Sequence, residues 1–573
     1  MIARVTDGDQ LAADCIVVGA GPCGIVTALE LADRGWSVLL VESGGTRFSS
    51  AAQSLSDSDT VGNDRWHVAT SLSIRRQLGG TSILWGGRCL PFDWVDFQAR
   101  PQVPDGAWPI GWEELAAYMQ RACDWCICGE ASFNAHEIPE LRDRELVAGL
   151  PDGEVRSSDL ERWALPTRFG RVYRRRLRRH RKLTLATDLT CVRIACRADG
   201  EVDHLELRAL DGRRAVARGR HYVLATGGLE ATRLLMVSDD VHPAGIGNHS
   251  GHLGRWYMAH VEARVAKAHF TPGREGVIFG HERTADGVYV RRRFSIAPER
   301  QQRDGLLNGV VWIVNPEMGD PGHGSGILSG VYLTLISPLG RFLLAEAIRK
   351  EGTKTAAPVS RWLHVKNILR DLPSSARFAV SFTWRRILKP GRKAPGFFVR
   401  SAENVYPLHY HGEHAPSWNS RVELSDELDA LGMPRLRTRL EYAETDVSNV
   451  KSVLERIDRH LRDHGAGYLE YTRDDVEAAV WAYLEGRAGY HQTGTTRMSR
   501  LPEDGVVDAN LTVHGVDNLS VASTSVLPTS SQANPTLTGI ALCVRLADHL
   551  SERLSDRGER PASSGDSIAG RTT

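Results

Sequence analysis

Apolar and polar positions follow distinct rhythms along the chain, and the clearest comes first. Cys15, Ile16, Val17 and Val18 make an unbroken apolar run of strand length. Ile25, Ala28, Leu29, Leu31 and Ala32 then recur at helical spacing, and residues 38–41 form a second apolar run that ends in Glu42. Gly19, Gly21 and Gly24 lie between strand and helix with GxGxxG spacing, and Glu42 stands 18 residues past the last of them. The pattern predicts a strand, a tight turn, a helix and a second strand arranged to bind a dinucleotide. Gly19 turns the chain, Gly21 lets the backbone approach a pyrophosphate, and Gly24 lets helix and strand pack. The helix N-terminus faces the phosphates and Glu42 takes a ribose hydroxyl.

Residues 46–76 are polar and irregular. Residues 77–93 place two glycine pairs, Gly79-Gly80 and Gly86-Gly87, around Ile83, Leu84 and Trp85, a composition that lets backbone lie against a flat ligand. Leu115, Tyr118, Met119 and Cys123 keep helical period after Trp112. Strand patterns return at 183–196 and 202–210. Residues 221–228 then predict a strand, a glycine turn and the start of a helix that bring the chain back to the first sheet. Between 250 and 480, runs at 261–266, 309–314, 331–336, 378–382 and 421–424 predict a large, mainly antiparallel sheet. Residues 516–522 read as a strand of the dinucleotide domain. Asn534, Pro535 and Thr536 open a helix whose core face is Leu537, Ile540, Ala541, Val544 and Ala547.

The expected architecture is α/β. A discontinuous Rossmann-like dinucleotide-binding domain takes up 12–250, with an insertion at about 46–220. A substrate domain at 251–480 has a large, mainly antiparallel sheet covered by helices and a basic insertion at about 341–400. Residues 481–550 return to the dinucleotide domain and carry chemistry, and 551–573 form a polar, disordered tail.

Composition changes this picture little. Lys and Arg number 71 against 70 Asp and Glu, so no overall charge points to nucleic acid. No basic-then-apolar leader and no apolar run of about 18 residues is present, so neither a signal peptide nor a transmembrane segment is expected. Nine cysteines lying in apolar patterns suggest free thiols in a reducing, cytoplasmic setting. Cys123, Cys126 and Cys128 lack a spaced fourth ligand and are expected to pack rather than bind metal. Two segments are locally basic. Residues 171–182 read first as a solvated helix face. Residues 341–400 carry 14 Lys or Arg against 3 Asp or Glu. That second segment reads first as a solvated insertion, with peripheral membrane contact or docking of an acidic electron acceptor as the alternative.

Taken together, the VVGAGPCG turn with Glu42, the GGTS-plus-WGG segment, ATGGLEATRLL, GRWYMAH (254–260), SRVELSDELDALGMPR (420–435), HQTGTTRM and ANPTLT resemble the glucose–methanol–choline (GMC) oxidoreductases. The C-terminal spelling, SVLPTSSQANPTLTGIALCVRLADHL, looks most like the sugar- and glycoside-oxidising, pyranose oxidase-like branch. The resemblance implies FAD and places His491 and Asn534 at the flavin. His491 would accept the hydroxyl proton of a sugar or glycoside alcohol while hydride passes to the flavin N5, and Asn534 would orient the substrate oxygen. It further implies that Gly19, Gly21, Gly24, Glu42 and Ser43 hold the ADP half. Gly80, Thr81, Trp85, Gly86 and Gly87 would lie along the pyrophosphate and flavin edge, and Val192 would meet the adenine through its backbone. Ala225, Thr226 and Gly227 would close over the dinucleotide, and Ser523, Pro535 and Thr536 would contact its flavin end.

Two departures from the family pattern matter. Leu84 stands where some members carry a flavin-linking histidine, so noncovalent FAD is expected. Ser523 replaces a more usual Asp or Gly. His409, His411, Glu413, His414 and Trp418 form a polar-aromatic cluster that reads equally as a carbohydrate-lining site or a rim loop. The electron acceptor (oxygen, a quinone or a protein) stays open. The alternatives to a sugar substrate are a non-sugar alcohol oxidase or dehydrogenase, or a redox-silent lyase on the same scaffold.

Overall fold

The computed structural model describes residues 3–60, 65–165, 167–338, 340, 352–353, 360–388, 391–401 and 403–556. The apolar run that opens the chain becomes the fully buried end of a longer strand, Asp9–Val18. It is the middle of a parallel set ordered Leu183–Thr187, Val38–Glu42, Asp9–Val18, Arg214–Leu224. Leu519–Val521 joins parallel to the end of Arg214–Leu224, with Tyr222 opposite Leu519. Val202–Arg208 and Thr190–Cys196 extend the other part of that long strand as an antiparallel meander. Strands buried on both faces read as continuous apolar runs, which is why this sheet is visible in the sequence. Helix Pro22–Asp33 packs against the C-terminal helix Thr536–Asp556, so the last helix of the chain closes over the first.

The insertion expected at 46–220 is shorter than its pattern implies. The four strands between Leu183 and Leu224 all belong to the dinucleotide sheet, so the insertion ends near residue 182. Residues 551–556, expected in the tail, are helical instead. The C-terminal helix runs through Asp556, and residues 557–573 lie outside the described residues.

A second sheet, ordered Gly467–Tyr471, Ala266–Phe270, Val405–Glu413, Gly309–Ile313, Phe294–Ile296, Val155–Arg156, is antiparallel. Its central strand, Val405–Glu413, also pairs with His260–Ala263, which sets Glu262 opposite His411. The amphipathic helix Glu444–Asp463 covers the sheet with Val447, Val450, Val453, Leu454, Ile457 and Leu461. Two of the predicted strands are helices instead. Residues 331–336 lie in helix Gly326–Ile336, capped by Ser325 Oγ accepting from Leu328 N, and residues 378–382 lie in helix Leu372–Thr383. A short continuous apolar run has no period that separates a strand from a helix. Residues 421–424 are a strand, but in a separate small sheet with Pro434–Arg439.

The basic insertion is described in part; residues 341–351, 354–359 and 389–390 lie outside the described residues. Helix Arg361–Arg370 turns two polar residues, His364 and Asn367, inward. His364 is buried and meets Ser329 Oγ at 3.0 Å, while buried Asn367 donates to Pro321 O. Its apolar residues face out, Trp362 and Leu369 being 70% and 63% exposed. No described helix is long and apolar enough to cross a membrane.

Candidate active site

The carboxyl ends of the parallel strands leave a crevice, as open α/β sheets do. At one end it is lined by Gly19, Gly21, Glu42 and Ser43, with Gly80 and Thr81 beside them. Ala225, Thr226 and Gly227 form a middle wall, and Ser523, Pro535, Thr536 and His491 the far end. Gly19 has φ +98°, and a Cβ there would stand 2.5 Å from Ala225 O. A Cβ on Gly24 would stand 1.8 Å from Gly19 O, so Gly24 serves the helix–strand contact and not the cleft. Helix Pro22–Asp33 begins at Gly21 with no side-chain cap, leaving its first amides directed at the cleft.

Glu42 is buried, with Oε2 accepting from Ala20 N and Oε1 from Gly44 N, each at 2.8 Å. Burial pushes its carboxyl up, against the pull of those two amides and of Arg76. Arg76 donates to Ser43 Oγ at 2.8 Å and pairs with Glu230 at 2.6 Å, tying the two acidic walls of this end together. Ser523 Oγ accepts from Ser525 N, so its hydroxyl caps a local turn as well as facing the cleft.

Four histidine and asparagine side chains meet where the cleft reaches the second sheet. Asn534 Nδ2 and His491 Nε2 lie 2.8 Å apart, and His491 Nδ1 lies 3.0 Å from His260 Nδ1. His260 Nε2 faces Ala533 O at 3.2 Å, and His411 Nδ1 faces Gln532 O at 2.8 Å. These contacts settle the tautomers. A carbonyl only accepts, so His260 carries its proton on Nε2 and offers a lone pair on Nδ1. His491 therefore donates from Nδ1 and keeps its own lone pair on Nε2, where Asn534 donates to it. The ring nitrogens of His260, His411 and His491 come within 4.8 Å of one another, and the same hydrogen bonds hold them there. Burial, then the charge of Arg88, brings His491 down to about 3. His260 and His411 are held well below the ordinary imidazole value, first by burial and then by each other's neighbours and Arg88. All three are neutral at pH 7.

Of the residues expected at the site, Trp85, Gly86, Gly87, Val192 and Asn534 do not line the cleft, Asn534 being joined to it through His491. Trp85 anchors its segment by donating to Thr167 O at 2.8 Å and packing on Phe169. Leu189, Thr190 and Cys191 line the wall expected of Val192. The polar-aromatic cluster is neither one lining nor a rim loop. His409, His411 and Glu413 belong to the buried central strand, Glu413 pairs with Arg100 at 2.6 Å, and exposed Trp418 meets Trp256 edge-to-face and lies under Arg255 elsewhere. Arg76, Arg88 and His260 were not singled out from the sequence. Arg76 closes a stretch with no periodicity, His260 ends the GRWYMAH motif and Arg88 follows the second glycine pair, and the spelling assigns neither a role.

The cleft suits an ADP-containing cofactor. Uncapped amides meet a pyrophosphate, close backbone approach admits a flat ring system, and Thr226 Oγ1 lines the wall buried and without a hydrogen-bond partner.

Comparison with known proteins gives the same reading. Residues 416–543 match the family described as GMC oxidoreductase, and residues 12–55 match an FAD binding domain. The chain is similar to 2-methyl-1,2-propanediol dehydrogenase of Mycolicibacterium austroafricanum, 23% identical across 96% of this chain and 97% of that protein. It is 31% identical to C-glycoside 3-oxidase of Microbacterium trichothecenolyticum across 24% of this chain and 25% of that one. Formate oxidase of Aspergillus oryzae shares the fold, with a TM-score of 0.53 and 17% identity over 96% of this chain and 100% of that one.

Proposed function

Because the chain belongs to the GMC oxidoreductases, FAD-dependent enzymes acting on alcohols, we propose that its donor is an alcohol group of a sugar or glycoside, oxidised to the carbonyl. The His491–Asn534 pair, with its lone pair directed by His260, carries this reading. Bound FAD supplies the two-electron acceptor. Gly19, Gly21, Glu42, Ser43, Gly80, Thr81, Thr226, Ser523, Pro535 and Thr536 hold it noncovalently, since Leu84 offers no nucleophile for a link. His491 Nε2 takes the hydroxyl proton and Asn534 orients the oxygen it leaves. With its conjugate acid near 3, His491 holds that proton only while a negative charge stands close by. The likeness to C-glycoside 3-oxidase supports a sugar-type donor.

A second reading is a small non-sugar alcohol. It is favoured by the likeness to 2-methyl-1,2-propanediol dehydrogenase, which runs the length of both chains.

Anaerobic mixing of the purified yellow protein with sugars, glycosides and simple diols separates the two. Loss of flavin absorbance with a carbohydrate supports the first reading. Bleaching by diols alone supports the second. Denaturation should release all the yellow colour. His491→Ala should keep FAD and reduce it at least roughly 100-fold more slowly.

A further inference from the structure

Arg88 lies beside the histidines and has no part in the reading above. It follows the glycine pair Gly86-Gly87, and 13% of its side chain is exposed. Its guanidinium stands 4.6 Å over the ring of Trp312, which lies 5.9 Å from His411, and His411 lies 5.8 Å from His491. Arg291 stacks on the same Trp312 at 4.6 Å. Arg88 Nε stands 2.8 Å from Glu161 Oε2, yet Arg88 Nη2 is buried with no hydrogen-bond partner, as is Asn534 Oδ1. Arg88 Nε and Glu161 Oε2 are likewise buried without a hydrogen-bond partner despite their close approach, and Asn534 meets His491 at 2.8 Å; buried N–H groups left without an acceptor are costly enough to signal a ligand.

The charges lean the same way. Glu161 is fully buried and shared, since Arg291 also donates to it and Arg293 acts on it. The other carboxylate near Arg88 is Glu262, whose side chain is 28% exposed. After burial, the charge of Arg88 is what lowers His491.

We propose that Arg88 Nη2 binds an anionic oxygen of the substrate, so that the alcohol oxidised belongs to a hydroxy acid, such as an aldonic or uronic sugar acid. This deepens the alcohol-oxidising reading and rests on it. A carboxylate supplies the missing acceptor through a charge-assisted bond and a planar fork that guanidinium recognises. It also offsets the positive charge beside His491, so the imidazolium formed when His491 takes the hydroxyl proton is no longer opposed by Arg88.

Matched pairs test this on the FAD-loaded protein: glucuronate against glucose, and lactate against propane-1,2-diol. Calorimetry reads binding, and anaerobic bleaching reads turnover. At least one acid should bind about 10-fold or more tighter than its neutral partner. Arg88→Met should erase that preference, raising KM for the acid about 30-fold with kcat changed far less, and Arg88→Lys should keep part of it. FAD content checks that both variants fold. Equal binding of acid and neutral partner, binding of neither, or equal weakening of both by Arg88→Met overturns the proposal. If the acid preference is present by calorimetry but nothing bleaches the flavin, the alcohol-oxidising reading falls and the binding role of Arg88 stands.

Discussion

The role proposed for His491 as proton acceptor depends on residues behind it that hold its ring. An isolated imidazole divides its proton between two nitrogens. Here the carbonyl of Ala533 fixes His260, and His260 in turn fixes His491, so the lone pair lies on Nε2. His260→Leu removes the acceptor for His491 Nδ1 and frees the other tautomer. The expected result is a fall in kcat of about 10- to 100-fold, the scale of one buried hydrogen bond, with KM little changed. His260→Gln, whose carbonyl oxygen can accept from His491 Nδ1, should recover part of the loss. Equal loss in both variants would show that His260 acts by packing alone. At this scale the sequence displays His491 and Asn534 through their motifs. His260 is hidden, because its partner lies 231 positions away and meets it only when the two sheets abut.

Among the elements, the helices of the basic insertion are the ones whose polarity is inverted. Helix Arg361–Arg370 satisfies its buried side with His364 and Asn367, and leaves Trp362 and Leu369 outside. Leu372–Thr383 buries no residue. Val380 is 74% exposed on it, and Trp384 and Leu388 just beyond are 57% and 61% exposed. Arg361, Lys366, Arg370, Arg377 and Arg385 are interleaved with these residues, and Asp371 is the sole carboxylate between positions 360 and 388. Exposed tryptophan and leucine set among arginines suit the interface of an anionic bilayer. Phosphatidylglycerol vesicles should therefore sediment the protein and phosphatidylcholine vesicles should not. Salt should weaken the association, and Trp362→Ser with Trp384→Ser should reduce it about 10-fold or more without loss of FAD. Vesicle binding unchanged in the double variant would return these helices to a solvated role. Residues 378–382 read as a strand in sequence because run length carries no face, and only the neighbours of His364 and Asn367 show which side of the first helix is inward.

The whole molecule stores a pH dependence in its buried imidazoles. His67, between the Tyr257 hydroxyl and the Val68 carbonyl, is brought by burial to about 4, and His491 to about 3. Their folded values lie below the ordinary 6.5, so the unfolded chain binds protons that the folded chain refuses. Stability is complete above pH 6.5 and is lost as pH falls toward 3 to 4, at about 1.4 kcal/mol per pH unit for each group. The melting temperature should drop between pH 7 and pH 5, and His67→Gln should flatten part of that slope; an unchanged slope would show that His67 contributes none of it.

The chain by itself determined the dinucleotide unit, the return of residues 221–228 and 516–522 to it, and the family of the chemistry. Each of these is written in local periodicity, in glycines at close backbone approaches, and in short motifs whose spacing is the geometry. Tertiary structure alone decided the true extent of the insertion, the placement of His409, His411 and Glu413 on a buried strand, and the proton positions of the histidine relay. It also decided the unpaired Nη2 of Arg88. These depend on which distant segments lie side by side, and burial and hydrogen-bond satisfaction are properties of such neighbours that no local pattern encodes.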